Sequence, residues 1–377
     1  MTAVASSGSA SLLPQLWHGL AWSIRSGSQG GGISRPRLLW RTLVASITQP
    51  KAMRRWMAVA FELHSRGVIQ DLPGEYLRAV RPYVHRRTDV NTRVVQLIDH
   101  IDWLETAFQP GAFEQLATGR PLVLAELPAP RGCQYMRLQL QRAAAQSPEG
   151  ELLLTLTLQR TTDVQHKPQP VDAAVLCFSR FRVNGMACLA IGGVRGQRHP
   201  VLRLSPAEIS LALSGWKPAV LMVQVAQELA RHWGLRLIAL DPDSHPLQSW
   251  VYQWKQRHRD AALRIYRSYD ALWKHFDAKP GPLGWMILPL SSDEQLAATA
   301  LSPEMRARQT QRADYWLRIR NLLRLQLRHR LRAGRETTLS RVTEGMEPDM
   351  QTPQNVFDGS PNREPGRLLE TGPDSLL

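Results

Sequence analysis

Apolar residues change their spacing along this chain, and the changes divide it. From about Pro36 to Ala145 the pattern is mainly helical. In Arg93–Phe108 (RVVQLIDHIDWLETAF), Val94, Leu97, Ile101, Leu104 and Phe108 recur every third or fourth position with polar residues between them. From Glu149 the runs become strand-like. Leu152–Leu158 (LLLTLTL) is too short for a typical helix, and Ala173–Val183 (AAVLCFSRFRV) meets Asn184-Gly185 before Met186–Ile191 (MACLAI). Asn-Gly between two apolar runs predicts a hairpin turn, because both turn positions need a positive φ. Three strands of an antiparallel meander are therefore expected over 151–191.

Helical spacing then returns. Pro218 suits the first helical position, where its missing N–H costs nothing. Met222, Ala226, Leu229 and Trp233 share one face, and Gly234 is placed to end the helix. Leu235–Leu240 (LRLIAL) follows as a strand, Trp254–Phe276 reads as further helix, Trp285–Leu290 (WMILPL) as a last short strand, and Arg306–Arg332 as one long cationic helix. Strand, strand, strand, helix, strand, behind a helical N-terminal region, predicts an α+β fold with a mixed sheet. The expected divisions are a Ser- and Gly-rich disordered segment 1–35, a helical region 36–145, an α/β core domain 146–300, a basic amphipathic helix 301–332 and a polar disordered tail 333–377.

Charge adds a class of partner. The 377 residues carry a formal net charge of +15, which points to nucleic acid, acidic lipid or a phosphate-bearing small molecule. Most of the basic residues are Arg, a skew that GC-rich coding alone produces. In the C-terminal helix Trp316, Ile319, Leu322, Leu323 and Leu327 form one arc, and Arg318, Arg320, Arg324, Arg328 and Arg332 lie mostly on another. Such a helix suits an anionic membrane surface, or it docks on its own protein and leaves the Arg solvated. Nucleic-acid binding finds no zinc finger, RNP motif or KH loop to support it. The three cysteines, Cys133, Cys177 and Cys188, lack metal-ligand spacing, and their odd number argues against a disulfide framework. Cys177 and Cys188 read as buried free thiols in a reducing compartment. Without a secretory pattern near Leu12–Trp22 or an apolar run of the ~20 residues that span a bilayer, the reading is cytoplasmic, at most peripheral at the inner membrane.

Two segments carry candidate chemistry. Gly192–Gly196 (GGVRG) ends a strand, where glycines permit close approach of a ligand to Gly193, Arg195 and Gly196, or simply make a turn with a bulge. Gly215-Trp216-Lys217-Pro218 brings Lys217 to a helix start, a natural place for phosphate, although many helices begin so without a ligand. Joined by the strand order, these segments match the core order of GNAT-type acyltransferases, in which the loop and helix start hold the pyrophosphate of an acyl-CoA. The match is one of topology, and the chain departs from it: no further glycines follow Arg195-Gly196-Gln197, and a long segment separates strand from helix. In that reading acyl-CoA is the cofactor, Glu151 a candidate base and Tyr269 the proton donor, and a cleft is required between the fourth and fifth sheet strands, beside Gly193 and Lys217. Glu149 and Glu151 are expected on opposite faces and so not as a catalytic pair, with a solvated strand edge as the plainer account of both. Tyr269 and Trp273 share a helical face that suits packing. His100, among apolar neighbours, suits a core, and His245 lies beyond a strand end. No third ligand stands at metal spacing, so no metal site is expected.

Several of these segments, in order, resemble the bacterial family named after VirK and YbjX. Glu149-Gly150-Glu151-Leu152 resembles that family's acidic strand opening. Ile191–Gly196 (IGGVRG) resembles its Ile-Gly-x-x-Gln-Gly strand end, with Arg195 where Gln is usual, and Leu213–Pro218 (LSGWKP) its Gly-x-(Arg/Lys)-Pro helix start. His245, Tyr269–Trp273 (YDALW) and Leu288-Pro289-Leu290 continue the order; Arg81-Pro82-Tyr83 and His100 extend it upstream, with Ile101 in an aromatic position. The resemblance implies a role in envelope maintenance or virulence, meaning surface-protein display or resistance to cationic antimicrobial peptides. It implies envelope components as partners and no established enzymatic activity.

Overall fold

The computed structural model describes residues 35–81, 84–144, 147–160, 170–197, 204–248, 267–290 and 303–331. The expectations of disorder at both ends, the motif residues Pro82 and Tyr83, and most of the helix read over 254–276 lie outside them. All the described residues belong to one compact unit, Met1–Ala333.

Five helices come first: α1 (Arg35–Thr48), α2 (Pro50–Ser65), α3 (Leu72–Arg78), α4 (Val90–Ala107) and α5 (Pro110–Ala117). Side-chain caps start two of them: Asp71 accepts from the Gly74 N–H at 3.0 Å, and Asp89 from the Thr92 N–H at 2.7 Å. The stretch expected to be mainly helical also supplies two strands, β1 (Leu122–Pro128) and β2 (Cys133–Arg142). In β2, Met136, Leu138 and Leu140 are buried while Arg137, Gln139 and Gln141 are only half-buried, a period of two. Leu, Gln and Arg are good helix formers, and their preference hid that short alternation.

The expected meander is present as β3 (Leu152–Arg160), β4 (Pro170–Val183) and β5 (Met186–Gly196). Asn184 and Gly185 turn between β4 and β5 at φ 49° and 79°, as their hairpin signal requires. Then come α6 (Pro206–Ala212), opened by a Ser205/Glu208 capping box, and α7 (Pro218–His232), β6 (Arg236–Leu240), helix α8 (267–275), β7 (Lys279–Pro280), β8 (Trp285–Leu288) and α9 (Pro303–Arg330). The fold is α+β. Among the described residues the sheet has eight strands in the order β1-β2-β3-β4-β5-β6-β8-β7, and only β5–β6 is a parallel pair.

Both α4 and α7 pack on β4. Their shared seam is aromatic: Trp103 of α4 and Trp233, just past α7, stand edge to face at 5.0 Å, with Phe108 and Phe178 beside Trp233. Leu221, Met222, Val225, Ala226 and Leu229 bury the inner face of α7, each large side chain contributing about 1.5–3 kcal/mol. Helix α9 lies against β1 and α7 with Trp316, Ile319, Leu323 and Leu327 buried. Its apolar arc thus docks on the protein, the second of the two readings left open for it. Among the described residues no helix is long and apolar enough to cross a membrane.

Candidate functional site

The parallel strands β5 and β6 pair only from Cys188↔Arg236 to Ile191↔Ala239. At that point β5 carries a bulge: its register against β4 runs from Phe178↔Ile191 to Cys177↔Gly193, so Gly192 is the extra residue. Beyond it β5 continues along β4 to Gly196, while β6 ends at Leu240. The pairing of β5 with β6 thus stops there; Trp273 Nε1 donates to the Leu240 carbonyl at the end of β6, and a cleft of about 1050 Å³ lies beside the end of β5 alone.

Four elements line this cleft: Val194–Gly196 of β5, Gly215–Lys217 with the first turn of α7, α8 from Ser268 to His275, and Arg308, Gln309 and Arg312 of α9. Ser214 and Gly215 adopt positive φ (53° and 83°), which turns the chain so that Lys217 becomes the N-cap of α7. The first turn of a helix presents unpaired backbone N–H groups and the positive end of its dipole. Trp216 is buried, and its ring N–H donates to the Arg312 carbonyl at 3.1 Å, fixing α9 over the loop. Among the described residues the lining contains Arg195, Lys217, His275, Arg308 and Arg312 and no carboxylate. Such a cleft favours an anion.

Beneath the cleft lies a buried polar cluster. The Glu149 carboxylate is 2.9 Å from Arg195 Nε, and Arg195 Nη2 donates to Cys177 Sγ at 3.1 Å. The Tyr269 hydroxyl accepts the Val194 N–H at 2.8 Å, and the His245 ring stands edge-on to it at 6.0 Å. Burial raises the Glu149 carboxyl above its ordinary range, against the pull of Arg195. Burial and the charge of Glu149 push the Cys177 thiol up to about 12, so it is no nucleophile at neutral pH. The same two causes hold the Tyr269 hydroxyl well above its usual value and thus protonated. Burial, then Arg195, lowers His245 to about 4, so although its Nε2 is 4.0 Å from Glu149 the contact is not an ion pair at neutral pH.

The sequence-named residues fall into two groups. Arg195, Gly196, Lys217 and Tyr269 line the cleft. Gly193 lies beneath it, because a Cβ there would sit 2.5 Å from the Glu149 carboxylate, and one on Gly192 would strike the Glu149 carbonyl. Those two glycines make room for Glu149. Glu151 is elsewhere, its carboxylate bound to Arg78 Nη1 at 2.7 Å in a buried network where Arg78 and Arg142 also hold Glu75, each at 3.0 Å. A regular pleat would put residues i and i+2 on one face. Glu149 precedes β3, which starts at Leu152, so the pleat does not bind it and the two carboxylates turn into separate clusters. His100 is fully buried and accepts the Arg180 N–H at 3.0 Å, tying α4 to β4. Arg308, Arg312 and Cys177 had no local signal, since only the tertiary fold brings them to β5. Among the described residues no group of three or more His, Cys, Asp or Glu could hold a metal ion.

No curated protein and no solved structure matches this chain. A family model described as a protein of unknown function (DUF535) matches residues 33–317, which takes in α1–α8, the whole sheet and the cleft-lining turns of α9. The chain belongs to the DUF535 family.

Proposed function

We propose that this protein is an acyltransferase whose cleft takes an acyl-CoA. The observation that carries the reading is an anion-favouring cleft beside the end of β5, past the point where its pairing with β6 stops, with the start of α7 on its rim. A diphosphate at that start gains the first-turn N–H groups, the helix dipole and the Lys217 charge. The acyl-pantetheine arm then runs towards β5, where Tyr269 lies. An acceptor amine or hydroxyl attacks the thioester carbon, the C–S bond breaks, the departing thiolate takes a proton from the Tyr269 hydroxyl, and the proton the acceptor gives up restores that hydroxyl. That hydroxyl uses a lone pair for Val194, which leaves its proton to give. Glu151, held by Arg78, does not take part. The resemblance to VirK and YbjX supplies the setting: acylation of an envelope component from the cytoplasmic side is the form of envelope maintenance this cleft supports.

Calorimetric titration of the full chain with CoA and acetyl-CoA tests the reading. Gly193→Val would displace Glu149, so the cleft is better blocked at Gly196, where a Cβ meets nothing within 4 Å. Saturable binding is expected for the wild type, with none for Gly196→Phe. Lys217 is exposed, so its charge-assisted contact is worth about 1 kcal/mol, and Lys217→Ala should weaken binding roughly five- to ten-fold. No wild-type binding at millimolar ligand, or equal binding by all three proteins, overturns the acyl-CoA reading.

A further inference from the structure

The cations of the cleft form separate groups on different elements. Arg195, on β5, is already committed to Glu149 and Cys177. Lys217 stands at the start of α7. Arg308 and Arg312 come from α9, far along the chain, and a spacing of four residues makes them neighbours on one helical face. Helix α9 extends past the part of its surface that docks. Its buried arc begins at Tyr315 and Trp316, and the turns before it project over the loop that precedes α7. Two hydrogen bonds and one close approach mark that projection. Trp216 Nε1 donates to the Arg312 carbonyl, the Tyr315 hydroxyl donates to the Ala212 carbonyl at 3.4 Å, and Arg312 Nε lies 3.0 Å from where a Cβ on Gly215 would be. Among the described residues neither Arg308 nor Arg312 has a carboxylate partner. Both are exposed, yet they sit at the edge of a cleft rather than on an open face.

We infer that Arg308 and Arg312 of α9 form a second anion subsite in this cleft, built for a phosphomonoester, and that the protein thereby selects a 3′-phosphorylated nucleotide as the carrier of its acyl group. The inference rests on the acyl-CoA reading and deepens it. A guanidinium presents a planar fork of donors that matches the oxygens of a phosphate, and two of them one turn apart suit a dianion better than a single Lys does. The cleft volume of about 1050 Å³ lies at the upper end for small-molecule sites, which leaves room for a nucleotide beside a pantetheine arm. A diphosphate at Lys217 and a separate monoester at α9 are the two anionic centres of one ligand. A thioester on a carrier protein, which has a phosphopantetheine arm and no nucleotide, leaves the α9 pair unused.

Calorimetry at low salt on the full chain, with CoA, 3′-dephospho-CoA and 4′-phosphopantetheine as ligands, tests the inference. The wild type should bind CoA about ten-fold or more tightly than dephospho-CoA, a preference that shrinks as ionic strength rises. The double variant Arg308→Gln, Arg312→Gln should lose that preference and bind CoA and dephospho-CoA alike, and an unchanged circular dichroism spectrum certifies its fold. The ligand comparison on the wild type stands without any variant. Equal wild-type affinity for CoA and dephospho-CoA, or a preference that survives in the double variant, overturns the subsite and leaves the acyl-CoA reading intact. Phosphopantetheine binding as tightly as CoA overturns it in favour of a carrier-protein donor, and failure of every ligand to bind removes both proposals together.

Discussion

Gly192 has no room for a side chain, because the Glu149 backbone passes where its Cβ would be. The bulge in β5 and the approach of residues 149–151 to the sheet are one packing event: Gly150 also lies close to the Phe178 backbone, where a Cβ would come within 2.8 Å. Gly192→Ala must therefore push two backbones apart, and the cost of such overpacking is about 1–3 kcal/mol or more. Gly196→Ala is the control, for a Cβ there meets nothing and its φ is not positive, so its effect should stay within about 0.5 kcal/mol. Urea unfolding of the two variants measures both, and equal midpoints would show that the close approach does not hold the strand. The glycines themselves stood out in the sequence, as did Arg195. Their reason did not: Gly192 and Gly193 answer to a carboxylate on a distant segment, and no local spacing reports a contact across three strands. Lys217 and Tyr269 were legible because a helix start and a helical face are local features.

The elements were legible where the period of apolar residues ran long, and α9 shows where that stops. Its arc of Trp316, Ile319, Leu323 and Leu327 was plain, but an apolar stripe says only that something apolar covers it. The cover is β1 and α7, and β1 belonged to a stretch read as helical. Its cationic arc is also partly engaged. The buried carboxylate of Glu228 in α7 is held by Arg231 of its own helix, by Arg324 Nε at 2.5 Å and by Arg320 Nε at 3.3 Å. Membrane binding through this helix would first require undocking it. Glu228→Gln removes the charge at which these three guanidiniums meet. Breaking a buried charge-assisted contact costs about 1.5–3 kcal/mol, and the partial exposure of Arg231 and Arg324 puts the expected loss at the lower end. Hydrogen exchange across 303–331 should quicken in Glu228→Gln and stay unchanged in Arg328→Gln, whose side chain is exposed. Unaltered protection in the Glu228 variant would mean that the apolar arc alone holds α9. Because α9 brings Arg308 and Arg312 to the cleft, the Glu228 variant should also bind CoA more weakly without touching the ligand.

At the scale of the whole molecule the fold is held together across its helical and sheet regions by histidines that must stay neutral. His85, between α3 and α4, accepts the Arg87 N–H on Nδ1 at 3.1 Å and stacks at 5.5 Å on Trp285 of β8; burial lowers it to about 4. His100 ties α4 to the Arg180 N–H of β4 and is lowered by burial, then by Arg142, to about 3. His245, beyond β6, is lowered to about 4. In the unfolded chain each titrates near 6.5. Their folded values are depressed, so the stability they contribute is complete above pH 6.5. As pH falls the unfolded chain takes up protons that the folded one refuses, and that stability is lost progressively down to about pH 4 for His85 and His245 and about pH 3 for His100. Glu149 acts in the opposite sense. Its raised value makes the folded state take a proton first above pH 4.5, and burial raises the Asp102 carboxyl in the same sense; the two soften the fall without reversing it, since they oppose three imidazoles. Each proton linked to unfolding contributes a slope of about 1.4 kcal/mol per pH unit, so stability should drop by several kcal/mol between pH 7 and pH 5. Urea unfolding at pH 7, 6 and 5 reads the slope directly. His100→Gln can still accept the Arg180 N–H through its side-chain carbonyl and does not titrate, so it should flatten the slope by about one proton even if it lowers stability at pH 7. A stability that stays level from pH 7 to pH 5 would mean that the three rings are as free to take a proton in the fold as in the open chain.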